Sequence, residues 1–110
     1  MASIGYVNRQ ANGSYKGFLK TLSIRKSIVL VPNKDKASDN QPDYRVFTDD
    51  RDGVELGAGW KRIAQSSGNE YVSLSLAAPE FGPRRIYANL GRAASQDDPD
   101  TFAVIWNPAD

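Results

Sequence analysis

The chain reads as short apolar or alternating runs at a spacing of about ten residues, each closed by turn residues. That rhythm is the signature of an antiparallel β-sandwich or barrel, and helical periodicity is weak throughout. The runs are 2–8, 14–22, 26–31, 44–48, 54–60, 70–76, 84–90 and 101–106. Asn12-Gly13, Pro32, the turn of residues 49–53, the turn of residues 66–69 and the breakers Pro79, Gly82 and Pro83 separate them. Asn-Gly favours a tight hairpin because both residues tolerate positive φ. The expected fold is therefore all-β: one domain over residues 1–110, with seven or eight short antiparallel strands in a sandwich or partly open barrel. One short helical turn fits either Lys61–Gln65 or Ala93–Ser95.

Side-chain alternation assigns the faces. Lys16, Phe18, Lys20 and Leu22 share one face of the second run. Ile28 and Leu30 oppose Val29 and Val31, which places the third run centrally, apolar on both sides. In the fifth run, Val54, Leu56, Ala58 and Trp60 are assigned inward, and Glu55, Gly57, Gly59 and Lys61 outward. Two glycines on one face imply that another backbone packs close or that the sheet coils sharply. Trp60 and Trp106 are expected as core anchors, since their alternating partners are aliphatic.

The chain of 110 residues has neither His nor Cys. Disulfides, thiolate zinc sites, thiol nucleophiles and a histidine general base are thereby excluded. No Gly-x-Ser-x-Gly occurs, and no Ser-x-x-Lys in a strand-to-helix setting. Gly57-Ala58-Gly59 lacks the third glycine and following helix of a phosphate loop. The expectation is a protein that is no enzyme and uses no cofactor. Asp49, Asp50, Asp52 and Glu55 lack the spacing of a calcium loop and read as a solvated turn, as does the acidic stretch 97–100. No metal site is expected. No apolar leader opens the chain, and the longest aliphatic run, Ile28–Val31, is far short of the roughly 20 residues of a membrane helix. A cytoplasmic protein with no membrane partner is the expectation.

Net charge is +1, but its distribution is uneven. Arg9, Lys16, Lys20, Arg25, Lys26, Lys34 and Lys36 stand against Asp35 in residues 1–36, and six acids stand against Arg45 and Arg51 in residues 37–55. Either the two segments neutralise each other across neighbouring strands, or a positive face meets phosphate or an acidic protein. Tyr6, Tyr15, Phe18, Tyr44, Tyr71 and Tyr87 are interleaved with basic residues. Such rings either fill the core with their hydroxyls at its rim or form a stacking platform for single-stranded nucleic acid. The candidate binding residues are Lys16, Lys20, Tyr44, Arg45, Tyr71, Arg84 and Arg85. Asp43 is expected to pair with Arg45 or to cap a turn.

An ordered set of short motifs carries a resemblance over nearly the whole chain. It runs from Ile4-Gly5, Gly13, Gly17 and Thr21-Leu22 to Pro32 and Pro42-Asp43-Tyr44-Arg45-Val46. Gly57-Ala58-Gly59-Trp60-Lys61, Tyr71 to Leu76, Pro79-Glu80-Phe81, Ile86 to Leu90 and Ile105-Trp106 complete it. The chain resembles the family known as domain of unknown function 736, small proteins of bacterial plasmids and integrative conjugative elements. It differs near Arg84-Arg85, where a proline-rich link is more usual. The resemblance implies an accessory protein of a mobile genetic element. The function expected from that setting is a non-catalytic binding protein that engages a protein of DNA processing or host defence, as an antirestriction or anti-CRISPR inhibitor would. The alternative is a single-stranded nucleic-acid binder built on an oligonucleotide-binding-like barrel. The edges of an open sheet would also pair two copies into a homodimer.

Overall fold

Each alternating run becomes a strand. The computed structural model describes residues 3–51, 53–92 and 98–107. Its strands are β1 (Ser3–Arg9), β2 (Tyr15–Lys20), β3 (Arg25–Pro32), β4 (Tyr44–Thr48), β5 (Glu55–Ile63), β6 (Glu70–Leu76), β7 (Ile86–Arg92) and β8 (Thr101–Asn107). Every strand pairs antiparallel with its neighbours in sequence, and β1 pairs with β8 to close the ring. The result is an eight-stranded up-and-down barrel. It is closed rather than partly open, so homodimerisation by edge pairing loses its edge strands. Nor is it the five-stranded Greek-key barrel of oligonucleotide-binding domains.

The turns follow their chemistry. Asn12 Oδ1 accepts from the Ser14 amide at 3.0 Å and the Ser14 hydroxyl at 2.6 Å, while Gly13 takes φ 88°. The helical turn expected over 61–65 is absent: β5 continues to Ile63, and the turn beyond is closed by Gly68 N–H donating to the Ala64 carbonyl at 2.8 Å. The alternative placement at Ala93–Ser95 lies outside the described residues. A 3₁₀ turn, η1 (Pro79–Phe81), follows β6 and packs Phe81 against the core.

In β5 the inward and outward faces are exchanged relative to expectation. Tyr44, Arg45 and Val46 pair with Gly59, Ala58 and Gly57, but Phe47 pairs with Glu55, so Leu56 is an extra residue in a bulge. Leu56 stays buried. Past the bulge a one-residue shift turns every side chain over. Gly57 and Gly59 consequently face the interior, while Ala58 and Trp60 face out. The expectation of close backbone approach holds at Gly57, where a Cβ would lie 2.9 Å from the Ser75 carbonyl carbon.

The interior has two layers. Val7, Leu19, Ile28, Leu30, Val46, Leu74, Leu76 and Val104 fill the middle, and all are buried. Above them, at the end holding the β1–β2 and β3–β4 loops, Tyr15 meets Tyr44 and Phe102 edge-on at centroid distances of 5.6 and 5.7 Å. That aromatic plug draws only three of the eleven rings inside. The other end is an apolar mouth of about 490 Å³, lined by Leu19, Ile24, Leu56 and Phe81 among others. An adjoining recess of about 270 Å³ includes Ile4, Ile86 and Trp106. Trp106 is therefore at the rim of this mouth, not a core anchor.

The outer wall carries Lys16, Arg45, Ser73 and Asn89 along its strands. Among the described residues, no helix is long and apolar enough to cross a membrane.

Candidate functional site

Four ion pairs among the described residues resolve much of the uneven charge. Lys26 Nζ meets Asp50 at 2.6 Å and Lys36 Nζ meets Asp43 at 2.7 Å, so the acidic middle neutralises part of the basic first third. Arg9 turns instead to Asp100 at 2.9 Å and sits over the Phe102 ring. Arg45 pairs with Glu55 at 2.9 Å, not with Asp43, and covers the Phe47 ring. Lys16, Lys20, Arg25, Arg62, Arg84 and Arg85 pair with no acid among the described residues.

The carboxylates are structural. Asp50 accepts from Gly53 N–H and the Thr48 hydroxyl at 2.9 and 3.1 Å, closing the β4–β5 turn, while Asp52 lies outside the described residues. Together with Lys26 these donors hold its carboxyl down at about 2. Asp43 accepts from Lys36 Nζ and, through its second oxygen, from Lys61 N–H at 2.8 Å. The Lys36 hydrogen bond is the main reason its carboxyl lies below the usual range. These bonds clamp the β3–β4 loop to β5. Asp43→Ala is expected to cost about 2 kcal/mol at pH 7, since hydrogen bonds to charged groups contribute roughly 1.5–3 kcal/mol. Depressed carboxyls stabilise the fold above their unfolded values, and that contribution is lost as pH falls through the folded ones. Urea midpoints are therefore expected to hold from about pH 5 to 8, where no histidine titrates, and to drop below about pH 4. The gap between the parent chain and Asp43→Ala should narrow over the same acid range.

The wall outside β5, β6 and β7 forms a trough of about 390 Å³. Trp60 stands opposite Ser73, and Tyr87 opposite Ser75. Two short hydroxyl side chains on the middle strand thus make a floor between an indole on one side and a phenol on the other. Arg62 and Arg85 line the same trough. Arg85 reaches the Ser75 hydroxyl at 3.4 Å, and Tyr87 keeps 46% of its surface exposed. The β3–β4 loop steadies the indole: its Nε1–H donates to the Asn40 carbonyl at 3.3 Å. Rings for stacking, planar guanidinium forks for phosphate and hydroxyl donors converge here.

The sequence-derived candidates divide accordingly. Arg85 lines the trough, and Tyr71 lies beside it, paired with Arg62. Arg84 is exposed in the preceding loop. Lys16 and Lys20 flank Phe18 on the outside of β2, two strands beyond the β8 seam. Arg45 faces outward in the row of Ala58 but is committed to Glu55. Tyr44 cannot serve as a stacking surface: its ring is inside the barrel, 7% exposed, and burial pushes its hydroxyl up to about 12. Trp60 and Arg62 escaped sequence reasoning because the bulge that turns them outward has no signature in the alternation. Tyr87 stood in the aromatic list but was not chosen, and the serine spacing Ser73-x-Ser75 was the available signal.

A search of the curated proteins and of the solved structures found no match to the chain. The family model described as protein of unknown function (DUF736) matches residues 3–109. With that match spanning nearly all of its length, and with the barrel built from the residues that carry the resemblance, the chain belongs to the DUF736 family.

Proposed function

We propose that the protein is a non-catalytic binder of single-stranded nucleic acid that receives bases and phosphates on the outer wall of β5–β7. The observation that carries this reading is the Trp60–Tyr87 trough with its serine floor and two arginines free of acidic partners among the described residues. A base stacked on an aromatic ring contributes roughly 1–3 kcal/mol and does so for any sequence. Arginine forks match phosphate geometry and carry no sequence information, so binding is expected to be tolerant of sequence. The test is anisotropy of a labelled twelve-nucleotide oligo-dT. Retention by micromolar protein is expected at about 50 mM salt, with roughly twentyfold weakening by 200 mM if three phosphates are neutralised. No binding at low salt, or binding indifferent to salt, overturns it.

A second reading is favoured by a different surface. Leu22, Val54 and Trp106 are exposed around the apolar mouth, and clustered exposed apolar side chains mark sites for protein partners. On this reading the barrel end engages a protein of DNA processing or host defence, in keeping with a mobile-element accessory role. A chain that ignores oligo-dT yet loses a host partner on Leu22→Asp would establish it instead.

A further inference from the structure

The pairing registers align the trough with a second aromatic station on the far side of the β8 seam. Arg62 pairs with Tyr71, and Tyr71 lies one residue before Val72, whose partner is Leu90. Tyr71 therefore shares a row with Gly91. Gly91 pairs with Ala103, Ala103 with Tyr6, and Tyr6 with Phe18. One hydrogen-bonding row thus runs across the wall from Arg62 and Tyr71, through Gly91 and Ala103, to the Tyr6–Phe18 pair. Both of these rings are 44% exposed, with centroids 6.3 Å apart and planes tilted by 60°. Lys16 and Lys20 lie two residues either side of Phe18 on the same face, and neither has an acidic partner among the described residues.

Resting on the reading of the trough as a nucleic-acid site, we infer that one single strand lies across both stations, passing over the Ile105 side chain that covers Gly91. Between the two stations the wall is paved by the Ile105 side chain over Gly91, and Ala103 is buried. Gly91 leaves the Ile105 side chain lying over it, where a Cβ would come within 2.7 Å of Ile105 Cδ1. Four strand-to-strand steps of roughly 4.8 Å separate β6 from β2, half of the eight-stranded ring, so the path is about 19 Å along the backbone and longer outside it. At a stacked rise of roughly 3.4 Å the crossing takes at least about six nucleotides, inside the site sizes of single-strand binders. Lys16 and Lys20 would neutralise phosphates at the far end, and Arg62 and Arg85 at the near end.

Labelled oligo-dT of three, six, nine and twelve nucleotides tests the path. Affinity is expected to rise at least tenfold between three and nine nucleotides and then to level off. Phe18→Ala should weaken the nine-mer about tenfold and leave the three-mer unchanged, and its exposed position keeps the fold intact. Gly91→Leu, which pushes the Ile105 side chain outward into the path, should likewise remove the advantage of length. Equal binding of three- and nine-mers, with Phe18→Ala neutral, overturns the path while the trough stands. Failure of every oligomer to bind overturns both.

Discussion

A chain carrying Gly17→Ala is expected to lose at least 4 kcal/mol of stability, most of what holds a domain at the lower end of the ordinary range. Gly17 faces the interior between Val7 and Ile28. A Cβ there would fall on the Tyr6 carbonyl oxygen and lie 2.6 Å from Val7 Cα. Both atoms are backbone, so no rotamer change relieves the contact, and β1 must move away from β2. The same displacement propagates to the β1–β8 seam, because β1 pairs with both neighbours. Gly53→Ala is the contrasting control. Gly53 has φ 54° but open space around its Cα, so the expected cost is roughly 1 kcal/mol of backbone strain. Urea denaturation followed by tryptophan emission measures both. A Gly17→Ala midpoint close to that of Gly53→Ala would show that the strands accommodate the methyl group.

Trp60→Ala with Tyr87→Ala is expected to weaken oligo-dT binding at least thirty-fold. Two stacked bases lost at roughly 1–3 kcal/mol each amount to about 2 kcal/mol at the lower limit. The fold should survive, since both rings stand on the outer wall and Trp60 loses one long hydrogen bond to Asn40. Arg62→Ala with Arg85→Ala should act differently. It should reduce the salt slope by about 1.4, as expected for two phosphate contacts on a single strand. A double aromatic variant that binds like the parent would place the ligand elsewhere.

Strand number and order followed from turn chemistry and alternation. Asn12-Gly13, Pro32 and the acidic turn ending at Gly53 each stand where a strand ends. Closure into a barrel was not readable, because β1 and β8 meet only through registers far apart in sequence, and alternation is the same in a sandwich. β3, apolar on both sides, was expected to lie centrally, but it turns only Ile28 and Leu30 inward and leaves Val31 exposed on the outer wall. The faces of β2 and β6 were legible from period-two alternation alone. Those of β5 were not, since a single bulged residue at Leu56 reverses them. That reversal decided the site: it moved Trp60 from the presumed core to the wall and brought the glycines inward. Tyr44 failed for a related reason. Its neighbours Asp43 and Arg45 made it look like surface, but its even phase with Val46 carried it inside. Charge made Lys16, Lys20 and Arg85 candidates in the sequence, whereas which cations remained without acidic partners among the described residues depended on contacts that only the folded chain makes.

Seven of the eight strand pairings join sequence neighbours, and only the β1–β8 pairing joins the first strand to the last. Local hairpins close cheaply, whereas a loop of about 100 residues carries the largest entropic penalty, growing as the logarithm of its length. The β1–β8 seam is thus the natural place for the ring to part in a partial unfolding event. The inferred path crosses that seam, with the trough on one side and Tyr6 and Phe18 on the other. A bound strand would act as a hoop around a barrel whose weakest stave joint lies beneath it. Amides of β1 and β8 should then gain more protection from hydrogen exchange on binding than those of β3 and β4.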